Sequence, residues 1–161
     1  KKILKKVGKT KKPVILSTGM ATKKEIIEAI ETLKEAGCKN FAILKCTSTY
    51  PAKPRDSNII TIPEMIKEFK CNVGISDHTP GIGVSIAAIS LGATIIEKHI
   101  TLSKDSDAVD SKFSLDFKEF KNLIIESKRA WNSIGKISYG PTKNEKSFII
   151  NRFNSVFFKS F

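Results

Sequence analysis

Four short apolar runs punctuate the chain, and each gives way to a polar loop and then to a helix-like stretch. The first, "PVIL" at 13–16, leads through the turn-like "STGMA" into "TKKEIIEAIETLKEAG". There Ile26, Ile27, Ala29, Ile30 and Leu33 recur on one helical face, Thr22 with Glu25 forms a capping-box pair, and Gly37 marks the stop. The unit is strand, loop, amphipathic helix. "FAIL" (41–44) repeats it through "KCTSTYPAKPRDSN" and a helix near "IPEMIKEF", with Pro63 in the first turn. "NVGI" (72–75) runs into "SDHTPGIG" and the small-residue helix "VSIAAISLG", and "ATII" (93–96) runs into "EKHITLSKDSDAVDSKFSLD" and "FKEFKNLIIESKRAWNSI".

Strand starts about 20 to 30 residues apart are the spacing of parallel βα units. The runs read as strands buried on both faces, which predicts a parallel sheet covered by helices, either doubly wound or part of a (β/α)8 barrel. Four units are half a barrel. In such folds the loops after the strands carry the chemistry, and here they hold "STG", "CTSTYP", "SDHT" and "EKHITL".

Composition narrows the picture further. The 161 residues, 40% hydrophobic, are enough for one core and too few for two domains. The chain starts at Lys1 rather than Met, and "KKILKKVGKTKK" offers no apolar stretch for a signal peptide or membrane span, so a cytoplasmic location is expected, with no membrane partner. Cys38, Cys46 and Cys71 form no CxxC pair, which argues against a disulfide framework and against structural zinc. The net charge of +12 raises the competing reading of a basic nucleic-acid-binding α/β module. Its lysines lie on helical polar faces and in the first twelve residues without interleaved aromatics, so no nucleic acid partner is expected.

Both histidines of the chain, His78 and His99, fall at equivalent rim positions on neighbouring strands, where neutral imidazoles can share a divalent ion and leave positions open for substrate. Glu97 and Asp110 are candidate further ligands or substrate contacts. Ser17, Thr18, Thr47, Ser48 and Ser76 add hydroxyls to the same rim, and the Gly19 turn frees backbone amides, which suits a phosphate.

The stretches "KPVILSTGMAT", "ILKCTSTYPA", "SDHTPGI" with "AAISLGATIIEKHITL", and "DSKFSLDFKEF" resemble, in order and spacing, the sialic acid synthase family, which condenses phosphoenolpyruvate with an amino-sugar aldehyde to give nine-carbon acids. The resemblance covers most of residues 12–125 and implies the C-terminal half of a TIM (β/α)8 barrel over 1–136. It further implies that 137–161 leads toward a C-terminal antifreeze-like domain. His78 and His99 then match the two protein ligands of a divalent metal, manganese by preference with magnesium or cobalt as alternatives. Ser17 and Ser76 match phosphoenolpyruvate contacts, as does Ser48, which stands where sialic acid synthases proper often have asparagine. Tyr50 and Asp110 match sugar contacts, and a homodimer is implied for the full-length protein.

Within that group "LKCTSTYPA", "ITIPEM" and the "FSL" after Asp110 look most like pseudaminic acid synthases, whose sugar is a 2,4-diacetamido-2,4,6-trideoxy altrose. N-acetylneuraminate synthases usually have a histidine where this chain has Lys45, and legionaminate synthases tend to lack a phenylalanine matching Phe113; these two remain the alternatives. Departures are also present. The family's four earlier strands and its antifreeze-like domain have no counterpart within these 161 residues, "DAV" at 107–109 replaces a usual glycine or proline, and Asn154 stands where an arginine is usual. A half barrel has two open edges, so the chain alone is expected to be a poor catalyst or none.

Overall fold

A computed structural model describes residues 1–104 and 107–153, with the side chains of 150–153 left out of account. Asn154 and the end of the 137–161 segment therefore lie outside the described residues. The elements in order are α1 (Lys2–Gly8), β1 (Val14–Ser17), α2 (Lys23–Glu35), β2 (Phe41–Cys46), α3 (Thr61–Phe69), β3 (Asn72–Asp77), α4 (Gly83–Ser90), β4 (Ile96–Lys98) and α5 (Phe117–Ser133), with a 3-10 helix at Glu145–Phe153. The strands form one parallel sheet in the order β1-β2-β3-β4, so each βα unit sits beside the next, as half a (β/α)8 barrel requires.

Helix boundaries follow local chemistry. At α2 the Thr22 amide donates to Glu25 Oε2 at 2.7 Å and the Glu25 amide donates back to Thr22 Oγ1 at 3.3 Å. The same reciprocal box opens α5, from Asp116 and Glu119. In both boxes hydrogen bonds to the glutamate, from Thr22 at Glu25 and first of all from Lys104 at Glu119, hold its carboxyl below the usual range. Gly37 leaves α2 at φ +99°, a conformation that an L side chain rarely adopts.

The core lies between the sheet and its helices. Ile43, Val73 and Ile75 from the strands pack with Ile30, Ile62, Met65, Ala88 and Ala93. The other face is concave. In a flat sheet β1 and β4 would stand about 14 Å apart, yet Ser17 Oγ on β1 lies 3.4 Å from Glu97 Oε1 on β4. Only a strongly curved sheet brings those side chains together.

Two expectations change. The edge strands are not buried on both faces: Ile15 is 58% exposed, and Ser17 and Glu97 are exposed as well, because the concave side of β1 and β4 faces no opposing strands. The last strand forms at Ile96–Lys98, later than "ATII" suggests, although Thr94 and Ile95 already bond to β3 through Thr94 N→Val73 O and Ile75 N→Ile95 O. The lysine-rich start forms a helix, α1, which packs on α2 where Gly8 meets Ala36. Among the described residues no helix is long and apolar enough to cross a membrane.

Candidate functional site

The concave face carries two layers of polar side chains. Strand alternation puts Ser76 and His78 on the same side of β3, and Glu97 and His99 on the same side of β4, with about 6.6 Å of rise between the members of each pair. In the lower layer Glu97 Oε1 accepts from Ser76 Oγ at 2.6 Å and from Ser17 Oγ at 3.4 Å. A single carboxylate oxygen thus gathers hydroxyls from β1 and β3.

In the upper layer the rings of His78 and His99 stand edge to face with centroids 5.2 Å apart. Each has one nitrogen near an acceptor. His78 Nδ1 lies 3.0 Å from the Thr47 carbonyl oxygen, and His99 Nδ1 lies 3.5 Å from Asp110 Oδ2. An acceptor at Nδ1 favours the tautomer that carries its proton there, which leaves the Nε2 lone pair of each ring available. Backbone bonds fix both residues: Ala52 N donates to the His78 carbonyl and Leu115 N to that of His99. The second of these, with the isolated Ile100–Leu115 bridge, draws the loop bearing Asp110 and Phe113 onto the end of β4.

Aromatic rings close around the imidazoles. Tyr50 stands 4.3 Å from His78 and 6.2 Å from His99 between centroids, and Phe113 stands 5.3 Å from His99 and 6.0 Å from Tyr50. His78, His99, Tyr50 and Asp110 are therefore brought to one place, and Ser17, Ser76 and Glu97 to the layer beneath. Ser48 stands with the loops of β1 and β2: its Oγ lies 3.6 Å from Cys46 Sγ and would stand 3.1 Å from a Cβ placed on Gly19. Lys45 reaches the Cys46 carbonyl at 3.2 Å, and burial pushes its amine below the ordinary lysine range. The Thr18 hydroxyl is committed to the Leu44 carbonyl at 2.9 Å.

The donor set suits a divalent ion with open coordination positions. Two imidazoles stand with ring centroids 5.2 Å apart, while among the described residues no three His, Cys, Asp or Glu side chains form a metal-holding group on their own. The surrounding carboxylates and hydroxyls are oxygen donors of the kind that manganese or magnesium accepts.

One part of the site escapes a reading of the sequence alone. Asp77 and Lys98 are register partners on β3 and β4, and they join at 2.9 Å with side chains 1% and 2% exposed. Asp77 Oδ1 accepts from the Thr79 amide and hydroxyl at 2.8 and 2.7 Å, and Oδ2 accepts from Ser85 Oγ on α4 at 2.6 Å and from Lys98 Nζ. Burial alone would push this carboxyl up; the bonds from Ser85, Lys98 and Thr79 outweigh it and hold it below the ordinary aspartate value. The available signal was two opposite charges, each directly before or after its motif's other ionisable residue, but pairing them requires the strand register.

Residues 1–139 match the model of the NeuB family. Over 129 residues the chain is 43% identical to a pseudaminic acid synthase of Campylobacter jejuni, covering 80% of this chain and 38% of that protein. It is 41% identical over 148 residues to an N,N'-diacetyllegionaminic acid synthase of the same species, covering 91% of this chain and 44% of that one. The fold superimposes on an N-acetylneuraminic acid synthetase from Leptospira borgpetersenii, crystallised with citrate, with a TM-score of 0.84 at 32% identity, over 98% of this chain and 55% of the other. The chain thus spans less than half the length of the two curated relatives. With its half barrel and its family match over residues 1–139, the chain belongs to the NeuB family.

Proposed function

We propose that the protein carrying this chain condenses phosphoenolpyruvate with the open-chain aldehyde of a diacetamido sugar, releasing phosphate and forming a nine-carbon acid. The observation that carries this reading is the paired imidazoles, each with Nδ1 near an acceptor, directly above the hydroxyls of Ser17 and Ser76. An electrophile-activating site and an anion-binding site then share one concave face.

His78 and His99 would hold a divalent ion, manganese by preference, and that ion would polarise the sugar aldehyde. Ser17 and Ser76 would turn their hydroxyls from Glu97 Oε1 to phosphoenolpyruvate and, with Ser48, keep its C3 facing the aldehyde carbon. When the C3–C1 bond forms, the aldehyde oxygen takes up a proton and positive character develops at C2. Water adds at C2 and loses a proton, and the tetrahedral intermediate expels inorganic phosphate by C–O cleavage. Tyr50 and Asp110, both close to His99, would contact the sugar hydroxyls, and Phe113 packs its buried ring against His99.

The motif around Phe113 supports the pseudaminate product, from the 2,4-diacetamido-2,4,6-trideoxy altrose, over the legionaminate one, to whose synthase the chain is nearly as similar, at 41% against 43% identity. The assay is phosphate release from phosphoenolpyruvate with manganese and each sugar in turn. Release with the altrose sugar, lost in both His78→Ala and His99→Ala without loss of the folded far-ultraviolet spectrum, is expected. Release with N-acetylmannosamine or the legionaminate precursor alone would move the assignment to that synthase, and full turnover by either histidine variant would refute the site. Residues 1–161 on their own should release no phosphate, because two sheet edges and half the concave wall stay open; turnover by that chain as a monomer would contradict this.

A further inference from the structure

We propose that the buried Asp77–Lys98 ion pair is a positioning device that sets the separation and orientation of the His78 and His99 imidazoles. This rests on the metal reading above. Asp77 directly precedes His78 and Lys98 directly precedes His99, and the two are register partners. Because side chains alternate along a strand, the pair sits on the face opposite the imidazoles, one residue behind them. It fastens the two strand ends that carry the rings.

The network reaches further than one cross-strand contact. Lys98 Nζ also donates to the Thr79 carbonyl oxygen, Thr79 donates twice to Asp77, and Ser85 ties in the first turn of α4. Four segments therefore meet at one carboxylate: the end of β3, the loop after His78, α4 and the end of β4. Thr79 and Ser85 are fully buried, so none of these bonds competes with solvent.

Stability alone does not account for such a pair. Desolvating two charges offsets most of their attraction, and an apolar pair of similar volume fills a core at no greater cost. An apolar pair would leave the Thr79 carbonyl without its lysine donor and the loop after His78 free to move. What the charges add is a fixed geometry at the point where both metal-binding side chains leave the sheet. Displacing a ligand or its support typically weakens metal binding about tenfold to a hundredfold.

The test is manganese(II) binding by the full-length protein, followed by the electron paramagnetic resonance signal of the free ion, with thermal melts run in parallel. The variants are Asp77→Asn/Lys98→Met, Lys98→Met alone, and His78→Ala/His99→Ala. The first removes both charges together and so leaves no unpaired buried ion, whereas Lys98→Met alone leaves the Asp77 carboxylate buried without its cation and is expected to melt lowest. Each titration is run at a temperature below the variant's own melt. The expected result is binding by the unmodified protein, loss in the histidine variant, and binding weakened about tenfold or more in folded Asp77→Asn/Lys98→Met. Unchanged affinity in that folded variant would overturn the positioning role and leave the metal reading intact. Equal binding by the unmodified protein and the histidine variant would overturn the metal reading, and the positioning role with it.

Discussion

Replacing Gly74 by alanine should damage the site without touching any group in it. Gly74 lies in the middle of β3, and a Cβ built there would stand 2.4 Å from the Ile95 carbonyl oxygen, 2.6 Å from Leu44 Cδ2 and 2.7 Å from Ile95 Cβ. Ordinary contact begins near 3.4 Å, so the chain leading into β4 must retreat by about 1 Å. A backbone oxygen cannot swing aside as a side chain can. Overpacking of this kind costs about 1–3 kcal/mol, and the displaced segment is the one that carries Glu97 and His99. A misplacement of about 1 Å can cost on the order of 100-fold in rate. Gly83→Ala is the matched control: it sits at the first position of α4, has no neighbour within 4 Å of its new Cβ and no positive φ, so it should be neutral or stabilise by up to about 1 kcal/mol. Urea unfolding and manganese-dependent phosphate release would be measured on both. If Gly74→Ala matches Gly83→Ala in stability and turnover, the close approach of β3 and the β4 lead-in does not set the site.

Three further outcomes can be checked. The Asp77 carboxyl is held below its unfolded value of about 3.8, so its contribution is fully present above that pH and is lost as pH falls through the lower folded value; acid unfolding midpoints should shift less with pH in Asp77→Asn, and an unchanged acid profile would count against the network. Asp116→Ala removes the cap that accepts from the Glu119 amide and should cost about 1 kcal/mol in urea unfolding, with no loss showing that α5 is held by packing alone. Glu97→Gln keeps an oxygen for the Ser17 and Ser76 hydroxyls while removing a negative charge from the proposed phosphoenolpyruvate site, so KM for phosphoenolpyruvate should fall several-fold, and a rise would show that the carboxylate does not oppose the substrate there.

Much of the fold was legible because its signals are local. The capping box at Thr22 and Glu25, the helical spacing through Leu33 and the glycine stop are all contained within one stretch, and the structure keeps each of them except that Ile27, on the expected apolar face, is exposed. The first helix was not legible: three of the seven residues of "KILKKVG" are lysine, and what holds it is the close fit of Gly8 on Ala36 at the end of α2. Burial of the edge strands was misread for a related reason. Apolar runs show that a strand can be covered, and Ile15 shows that covering depends on what lies opposite.

The site divides along the same line. His78 and His99 could be paired from the sequence because each follows a recognisable run, so their neighbourhood depends only on strand order. The contact of Glu97 with Ser17 depends on curvature as well, since it joins the first strand to the fourth across the concave face. The Asp77–Lys98 pair depends on register, and a shift of one residue would send its side chains to the face that now bears the histidines. Order, curvature and register are successively harder to read from residues one at a time. Each also adds a different element to the chemistry: order places two imidazoles side by side, curvature gathers the hydroxyls beneath them, and register puts an ion pair behind them. A relative with the same motifs but an apolar pair at those two positions would therefore be expected to keep the fold and to bind its metal less tightly.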